Sequence, residues 1–94
     1  MPRFLIEVPH EAEESACIKA IRVFLKSGSH FLTNAEFGCK DGEHKAWIIV
    51  EVDSKDEAQN IVPHLYRQTA KITQLHLFTV DDVDGIFEHH EEKA

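Results

Sequence analysis

Four stretches of this chain alternate between apolar and polar or mixed side chains with a period of two; they cover residues 3–8, 30–37, 45–52 and 71–78. Successive side chains of a β-strand point to opposite faces of a sheet, so this alternation is typical of strands. We therefore predict four strands. The residues expected on their shared apolar face are Phe4, Ile6, Val8, Ala46, Ile48, Val50, Leu75 and Leu77.

Helical spacing of apolar residues fills two of the gaps between these strands. Residues 11–27 begin with glutamates, carry an apolar stripe and precede Gly28, which predicts a helix stopped by a left-handed glycine. A second helix begins at Ser54, because Ser54 and Glu57 have the spacing of a capping box. Pro63 lies beyond the first turn of that helix, where it removes a hydrogen bond, so we expect a kink or break just before it.

The element order βαββαβ predicts an α+β fold of the ferredoxin-like type. Right-handed crossovers give a four-stranded antiparallel sheet in the order 4-1-3-2, with two helices on one face. Ninety-four residues allow one core, so we expect a single domain over residues 1–94. Within it, residues 79–90 should form a short C-terminal helix and residues 91–94 a flexible tail.

The charge balance excludes several kinds of partner. Seventeen acidic residues against ten basic ones give a formal net charge of −7, and no basic cluster interrupts this balance. Nucleic acids and anionic membrane surfaces are bound largely through Lys and Arg, so we expect neither as a partner. No stretch has the roughly 20 apolar residues of a membrane span, and the N-terminus lacks the pattern of a signal peptide. These features predict a cytoplasmic protein.

The chain has two cysteines and seven histidines. Cys17 and Cys39 have no metal-binding or redox spacing, so we expect reduced thiols rather than a structural disulfide. Cys17 should pack on the apolar helix stripe, whereas Cys39, with Lys40 and His44 nearby, leaves a nucleophilic or redox role as an alternative. The histidines show no local ligand spacing, so a metal would need ligands from separate elements or from both subunits. We predict no metal and no cofactor.

The second face of the predicted sheet is amphiphilic. Alternation assigns to it Leu5, Glu7, His30, Leu32, Asn34, Glu36, Trp47, Ile49, Glu51, Gln74, His76 and Phe78. An antiparallel sheet covered by helices on one side leaves its other side for a ligand or a partner subunit. The apolar members are too contiguous to stay exposed, so we predict a homodimer that buries this face.

Strand directions place Glu7, Trp47 and His76 at one end of the second face. A carboxylate partly buried beside an aromatic ring can act as a base near neutral pH, and a neighbouring histidine can relay the proton. We therefore predict that Glu7 and His76 are a catalytic pair. The binding site around them would be formed by Trp47, Gln74, Asn34 and Glu36. The alternative is that Glu7 and His76 are a hydrogen-bonded pair within a dimer interface.

The element order, the length and the opening segment Pro2-Arg-Phe-Leu-Ile-Glu-Val8 resemble the dimeric α+β barrel group, which includes muconolactone isomerase and stress-responsive barrel proteins. The resemblance implies two sheets packed face to face across a two-fold axis, with the C-terminal segment reaching over the partner. It also implies a small molecule bound between or beside the sheets, with isomerase-like proton transfer. A metal-binding dimer and a purely structural or regulatory dimer without catalytic activity stay open as alternatives.

Overall fold

The computed structural model describes residues 1–85. Its strands and helices are β1 (Arg3–Pro9), α1 (Glu14–Lys26), β2 (Glu36–Phe37), β3 (Lys45–Glu51), α2 (Lys55–Ile61) and β4 (Lys71–Leu75). Short 3₁₀ turns occupy Leu32–Asn34, Cys39–Asp41 and His64–Tyr66. Residues 80–85 are helical as well. Within residues 1–85, no helix has the length and apolar character to cross a membrane.

The four strands form one antiparallel sheet, which confirms the α+β class and the four-stranded antiparallel sheet predicted from the sequence. The order across the sheet is β2-β3-β1-β4, and counted from the β4 edge it is β4-β1-β3-β2. The long strands β1 and β3 therefore lie at the centre, where each is paired on both sides. The short β2 and β4 are the edges.

The core lies between one face of the sheet and the two helices. Its buried members are Phe4, Ile6, Val8, Ala20, Phe24, Leu32, Ala46, Ile48, Val50, Val52, Ala58 and Val62. Phe24 of α1 is fully buried, and its ring lies edge-on to the rings of Phe37 and Tyr66, with centroids 5.4 and 6.0 Å away. Edge-to-face contacts of this kind add to the gain from burying the rings. Within residues 1–85, no helix covers the opposite face of the sheet.

Part of the predicted second strand is a 3₁₀ turn. Only Glu36–Phe37 pairs with β3, while Leu32–Asn34 coils. The Asn34 side-chain amide donates to the His30 carbonyl at 2.8 Å, and such local bonds compete with a strand ladder. The turn directs Leu32 into the core, so its predicted place on the second sheet face is wrong.

The predicted faces of β4 are inverted by one residue. Gln74 pairs with Phe4 on the helix-covered face, whereas Leu75 pairs with Arg3 on the other face. Ile72, opposite Ile6, packs against the core in place of the predicted leucines. Because strand side chains alternate with a period of two, a shift of one residue exchanges the faces of all of them. The strand ends at Leu75, and the residues after it are exposed: His76, Leu77 and Phe78.

Most of the predicted helix ends are confirmed. Gly28 has the left-handed φ of +80° expected after α1, although the helix begins at Glu14 and not at residue 11. The Ser54 hydroxyl accepts the Glu57 backbone N–H at 3.1 Å. α2 then ends two residues before Pro63, as predicted.

The C-terminal helix is described only at its beginning. Thr79 and Asp82 cap it reciprocally, because the Thr79 N–H donates to the Asp82 carboxylate at 2.9 Å and the Asp82 N–H to the Thr79 hydroxyl at 3.1 Å. Hydrogen bonds to the Asp82 carboxylate, first from the Thr79 backbone N–H and then from the Thr79 side chain, hold the pKa of this carboxyl below its usual value. The rest of the predicted helix at residues 86–90 and the predicted flexible tail at residues 91–94 lie outside the described residues.

Candidate metal centre

The uncovered face of the sheet carries one row of side chains that crosses all four strands. Glu36 of β2 pairs with Trp47 of β3, Trp47 with Glu7 of β1, and Glu7 with Lys71 of β4. The Trp47 indole N–H donates to the Glu7 carboxylate at 3.2 Å. Three of the predicted site residues, Glu7, Trp47 and Glu36, are therefore neighbours on this face.

The predicted catalytic partner of Glu7 lies elsewhere. Glu7 is opposite Lys71 at the start of β4, whereas His76 follows the end of that strand at Leu75. The strand advances by roughly 3.3 Å per residue, or about 13 Å from Lys71 to Leu75. Proton transfer needs a separation of about 3 Å or one bridging water. The prediction that Glu7 and His76 lie within reach at one end of the face is wrong.

The other two predicted binding residues are also separated from that row. Gln74 belongs to the helix-covered face, opposite Phe4. Asn34 lies in a 3₁₀ turn, where its amide is bonded to the His30 carbonyl. Neither residue faces Trp47 across the sheet, so the predicted pocket of six residues is not assembled within one chain.

A different cluster forms where β1 ends and β3 begins. Pro9 pairs with Lys45, and one step further the His10 backbone N–H donates to the His44 carbonyl at 3.0 Å. His10 directly follows β1 and His44 directly precedes β3, so antiparallel pairing puts the two imidazoles side by side. Their ring centroids are 5.9 Å apart.

Both cysteines meet at this end of the molecule. Cys17 lies in α1 and Cys39 begins the 3₁₀ turn between β2 and β3. The two are disulfide-bonded, with Cα atoms 6.8 Å apart, at the upper end of the span that a disulfide bridges. The prediction of two unpaired thiols is wrong, because α1 packs with its first turns over the β2–β3 connection, a contact between distant parts of the chain.

Nitrogen and sulfur atoms converge within this cluster. One side-chain donor atom each from His10, Cys39 and His44 lies within 4.8 Å of the other two. The His10 Nε2 atom is 3.1 Å from the Cys39 sulfur. Cys17 adds a second sulfur through its bond to Cys39. Four side chains that bind soft divalent metals are thus within a few ångströms of one point.

Each ring nitrogen of His10 lies next to a hydrogen-bond acceptor. Its Nδ1 is 3.0 Å from the Glu11 carbonyl oxygen, and its Nε2 is 3.1 Å from the Cys39 sulfur. A carbonyl oxygen and a disulfide sulfur both lack a proton to donate, so the imidazole is the donor in either contact. In metal-ligating histidines the ring nitrogen that does not bind the metal usually donates to a carbonyl or a carboxylate, and the contact of Nδ1 with Glu11 has this arrangement.

His44 supplies a polar atom that lacks a partner. Its Nδ1 is buried and has no hydrogen bond from any residue in the described part of the chain. Buried polar groups are almost always bonded, and one left unsatisfied costs about 1–3 kcal/mol. A group bound between His44 and the neighbouring sulfurs would remove that cost.

The cluster is open to small solutes on one side. A depression of about 310 Å³ is lined by the two cysteines and His44 together with Glu13, Glu14 and Lys40. The two carboxylates favour the approach of a cation, and the depression gives it a route to the sulfurs. The cysteines are only partly buried.

The sequence does not indicate this cluster because its ligands have no local spacing, and which separate elements would supply them depends on the fold. The available signal was the pairing of strand ends: the antiparallel pairing that aligns β1 with β3 continues one step to place His10 opposite His44. Cys39 lies five residues before His44, on the same connection. The position of Cys17 over that connection depends on how α1 packs.

Comparison of the chain with protein-family models, curated proteins and solved structures finds no match. What the cluster can bind is therefore inferred from the geometry and the donor atoms of the cluster.

Proposed function

We propose that this protein is a metal-binding domain whose reduced form holds one Zn²⁺, or a similar soft divalent cation, with His10, Cys17, Cys39 and His44. The observation that carries the proposal is the convergence of these side chains from three separate segments, with the Nε2 atom of His10 3.1 Å from the Cys39 sulfur. The proposal replaces the sequence-based expectation of no metal.

The donor set suits zinc in number, type and spacing. Two thiolates and two neutral imidazoles are a common tetrahedral set for structural zinc, and thiolates disfavour the harder magnesium and calcium ions. Zinc bonds of roughly 2.0–2.3 Å put neighbouring ligand atoms roughly 3.3–3.8 Å apart. The 4.8 Å limit on the observed donors needs only small side-chain movements to reach that spacing.

Four protein ligands leave no open position on the metal, so the proposed role is structural. The ion would join the end of β1, the first turns of α1 and the β2–β3 connection. Reduced cysteines are required for this state, as the cytoplasm maintains them. That is the compartment expected from the sequence.

The proposal is tested by titrating the reduced protein with Co²⁺ and then displacing it with Zn²⁺ in competition with a chromophoric chelator. We expect one metal ion per chain and the visible absorption of tetrahedral, thiolate-bound cobalt. Cys17→Ser and His44→Ala should each weaken zinc binding by at least about 100-fold, since even outer-shell changes cost 10- to 100-fold.

His76→Ala is the matched control, because His76 is an exposed histidine outside the cluster and should leave the affinity unchanged. Binding that is lost in His76→Ala and retained in His44→Ala would refute the assignment, as would the absence of a stoichiometric metal in the reduced wild type.

We also propose a ferredoxin-like fold whose uncovered sheet face is closed by a second copy of the chain. No helix in the described part of the chain covers the apolar residues of that face, which are Leu5, Trp47, Ile49 and Leu75. Ile49 is 54% exposed although it lies in a central strand. Aligned packing of two such faces would bury this strip between two sheets.

The charges of this face support a second copy as the occupant. A two-fold axis parallel to the strands, between β1 and β3, reverses the strand order of the facing sheet. Glu36 at one edge then faces Lys71 of the partner subunit at the other edge, and Glu51 faces Arg3 of the partner subunit. Both pairs of charged residues formed in this way have opposite signs, which favours association in this register, and Glu7 faces Trp47 of the partner subunit.

Sedimentation velocity at micromolar concentration tests the dimer through a charge exchange. Glu36→Lys and Lys71→Glu should each weaken the dimer by bringing like charges together, and the double variant should restore it. Lys19→Glu, on the exposed side of α1, is the control. A monomeric wild type, or a double variant as weak as the single ones, would contradict the arrangement.

The isomerase-like reaction predicted from the sequence needs a base and a proton relay close together. Because Glu7 and His76 are far apart in the chain's own sheet, we do not propose this reaction.

A further inference from the structure

The cysteines of the candidate metal centre have two incompatible bonding states. Four-coordinate binding of the metal needs both sulfurs as thiolates, whereas the structure has them joined as the Cys17–Cys39 disulfide. A disulfide sulfur has no charge to offer a metal, and the two remaining imidazoles would hold the ion with only half of its ligands. Formation of the disulfide and retention of the metal therefore exclude one another.

Resting on the metal site proposed above, we infer that the centre is a redox-operated switch in which a hydroperoxide oxidises the two thiolates to the disulfide and expels the metal. The substrate class is a small hydroperoxide, for which the depression beside the cysteines provides an approach. The two states differ by two electrons, and both leave the same segments of the chain joined.

The reaction balances with hydrogen peroxide as the oxidant. The Cys39 thiolate attacks one peroxide oxygen, the O–O bond breaks, and Cys39 becomes a sulfenic acid as hydroxide leaves. The Cys17 thiolate then attacks the Cys39 sulfur, forms the S–S bond and releases a second hydroxide. The sulfurs lose two electrons, the peroxide gains them, and two solvent protons turn both hydroxides into water. The metal cation leaves without its two thiolates.

The surroundings favour Cys39 as the sulfur that the peroxide oxidises first. It directly precedes Lys40 in the turn, and Lys40 lines the same depression. Cys17 follows Glu13 and Glu14 at the start of α1, and both of these residues line the depression as well. A neighbouring cation favours a thiolate and its charged transition state, whereas carboxylates oppose them. Cys17 is then the resolving thiol.

The fold explains why oxidation would release the metal without unfolding the domain. In either state the chain between Cys17 and Cys39, a separation of 22 residues, is closed at the same place, by the metal or by the disulfide. The His10–His44 contact is held independently through the backbone bond of 3.0 Å. The core between the sheet and the helices contains neither cysteine.

The test uses the full-length reduced chain loaded with one equivalent of Zn²⁺. One equivalent of hydrogen peroxide should release the whole equivalent of zinc to a metallochromic indicator and remove two free thiols. Mass spectrometry should find the loss of two hydrogen atoms on the linked Cys17 and Cys39 peptides. The far-ultraviolet circular dichroism should stay unchanged, and dithiothreitol should restore both thiols and zinc uptake.

Cys17→Ser separates the switch from simple oxidation of a thiol. Without the resolving cysteine, peroxide should stop at the Cys39 sulfenic acid, which a dimedone probe traps, and no intramolecular disulfide should form. Zinc uptake followed by oxidation without release would overturn the switch and leave the metal site standing. Failure of the reduced protein to take up zinc would overturn both. Release accompanied by loss of the circular dichroism signal would also refute the switch, since the metal would then leave by unfolding.

Discussion

Breaking the Cys17–Cys39 cross-link in the metal-free protein should lower the free energy of unfolding by about 3.4 kcal/mol. The bond closes a loop with a sequence separation of 22 residues. In the chain-entropy treatment, a closed loop of n residues removes about 2.1 + 1.5R ln n cal/mol/K from the unfolded chain, which gives about 3.4 kcal/mol at 25 °C for this loop. Domains of this size have a total of roughly 5–15 kcal/mol, so the effect is large.

Urea unfolding followed by fluorescence measures this difference directly. Trp47 is the single tryptophan, and its indole is bonded to Glu7 in the folded sheet, so its emission reports unfolding. With an m value of roughly 1–1.5 kcal/mol/M, Cys39→Ser should unfold at about 2–3 M less urea than the oxidised wild type. The melting temperature should fall by roughly 14–27 °C.

Two controls separate the lost cross-link from local damage. Cys17→Ser opens the same loop from its other end and should lose the same free energy as Cys39→Ser. The reduced wild type with a chelator present should unfold together with both variants, and adding zinc to it should restore much of the difference, because the ion closes the loop again. A common midpoint for the oxidised wild type and both variants would refute the loop-closure reasoning.

Three further substitutions test local features by the same urea measurement. In Gly38→Ala the new Cβ would lie 2.6 Å from the Trp47 ring and 2.8 Å from the Glu43 carbonyl oxygen, so we expect a loss of about 1–3 kcal/mol and a shifted tryptophan emission. Ser54→Ala removes the cap of α2 and should cost about 1 kcal/mol, with an unchanged emission maximum. Gly42→Ala forces a side chain to a φ of +83° and should cost about 1–2 kcal/mol.

The parts of the fold that sequence reasoning predicted are those set by neighbours in the chain. Alternation in β1 and β3 places the buried residues on one face because each strand is long and central. Ser54 and Pro63 mark the two ends of α2 through their own backbone chemistry. In these segments local preference and packing agree, and the pattern alone is enough.

The predictions that are wrong concern the edge strands of the sheet. An edge strand has few tertiary contacts, so local hydrogen bonds or an alternative register can replace the predicted conformation. The segment before β2 satisfies its own backbone through the Asn34 amide and so coils before the strand begins. In β4 both Ile72 and Leu75 are apolar, and alternation in this stretch fits either register. Pairing of Lys71 with Glu7 selects one of them, a contact between residues 64 positions apart that the pattern does not contain.

The candidate metal centre was beyond sequence reasoning for a related reason. His10 and His44 meet through strand pairing, and Cys17 reaches Cys39 through helix packing, so the cluster needs two kinds of long-range contact at once. Each residue alone has an ordinary explanation. The cysteine in α1 fits a side chain that packs in the core, and the cysteine in the turn fits a surface residue without a role. The chemistry becomes visible only when the segments are assembled.

The turn between β2 and β3 links the candidate metal centre to the uncovered face of the sheet. Cys39 lies at its start, and Gly38 before it packs so close to the Trp47 ring that a Cβ would lie 2.6 Å away. The Gly38 carbonyl also accepts the backbone N–H groups of Asp41 and Glu43, each at 3.0 Å. A turn held by these bonds has few free dihedral angles with which to absorb a displacement of the Cys39 sulfur. We therefore expect the proposed change of Cys39 from metal ligand to disulfide partner to alter the surroundings of Trp47, and a tryptophan emission identical in the zinc-loaded and the oxidised protein would contradict this expectation.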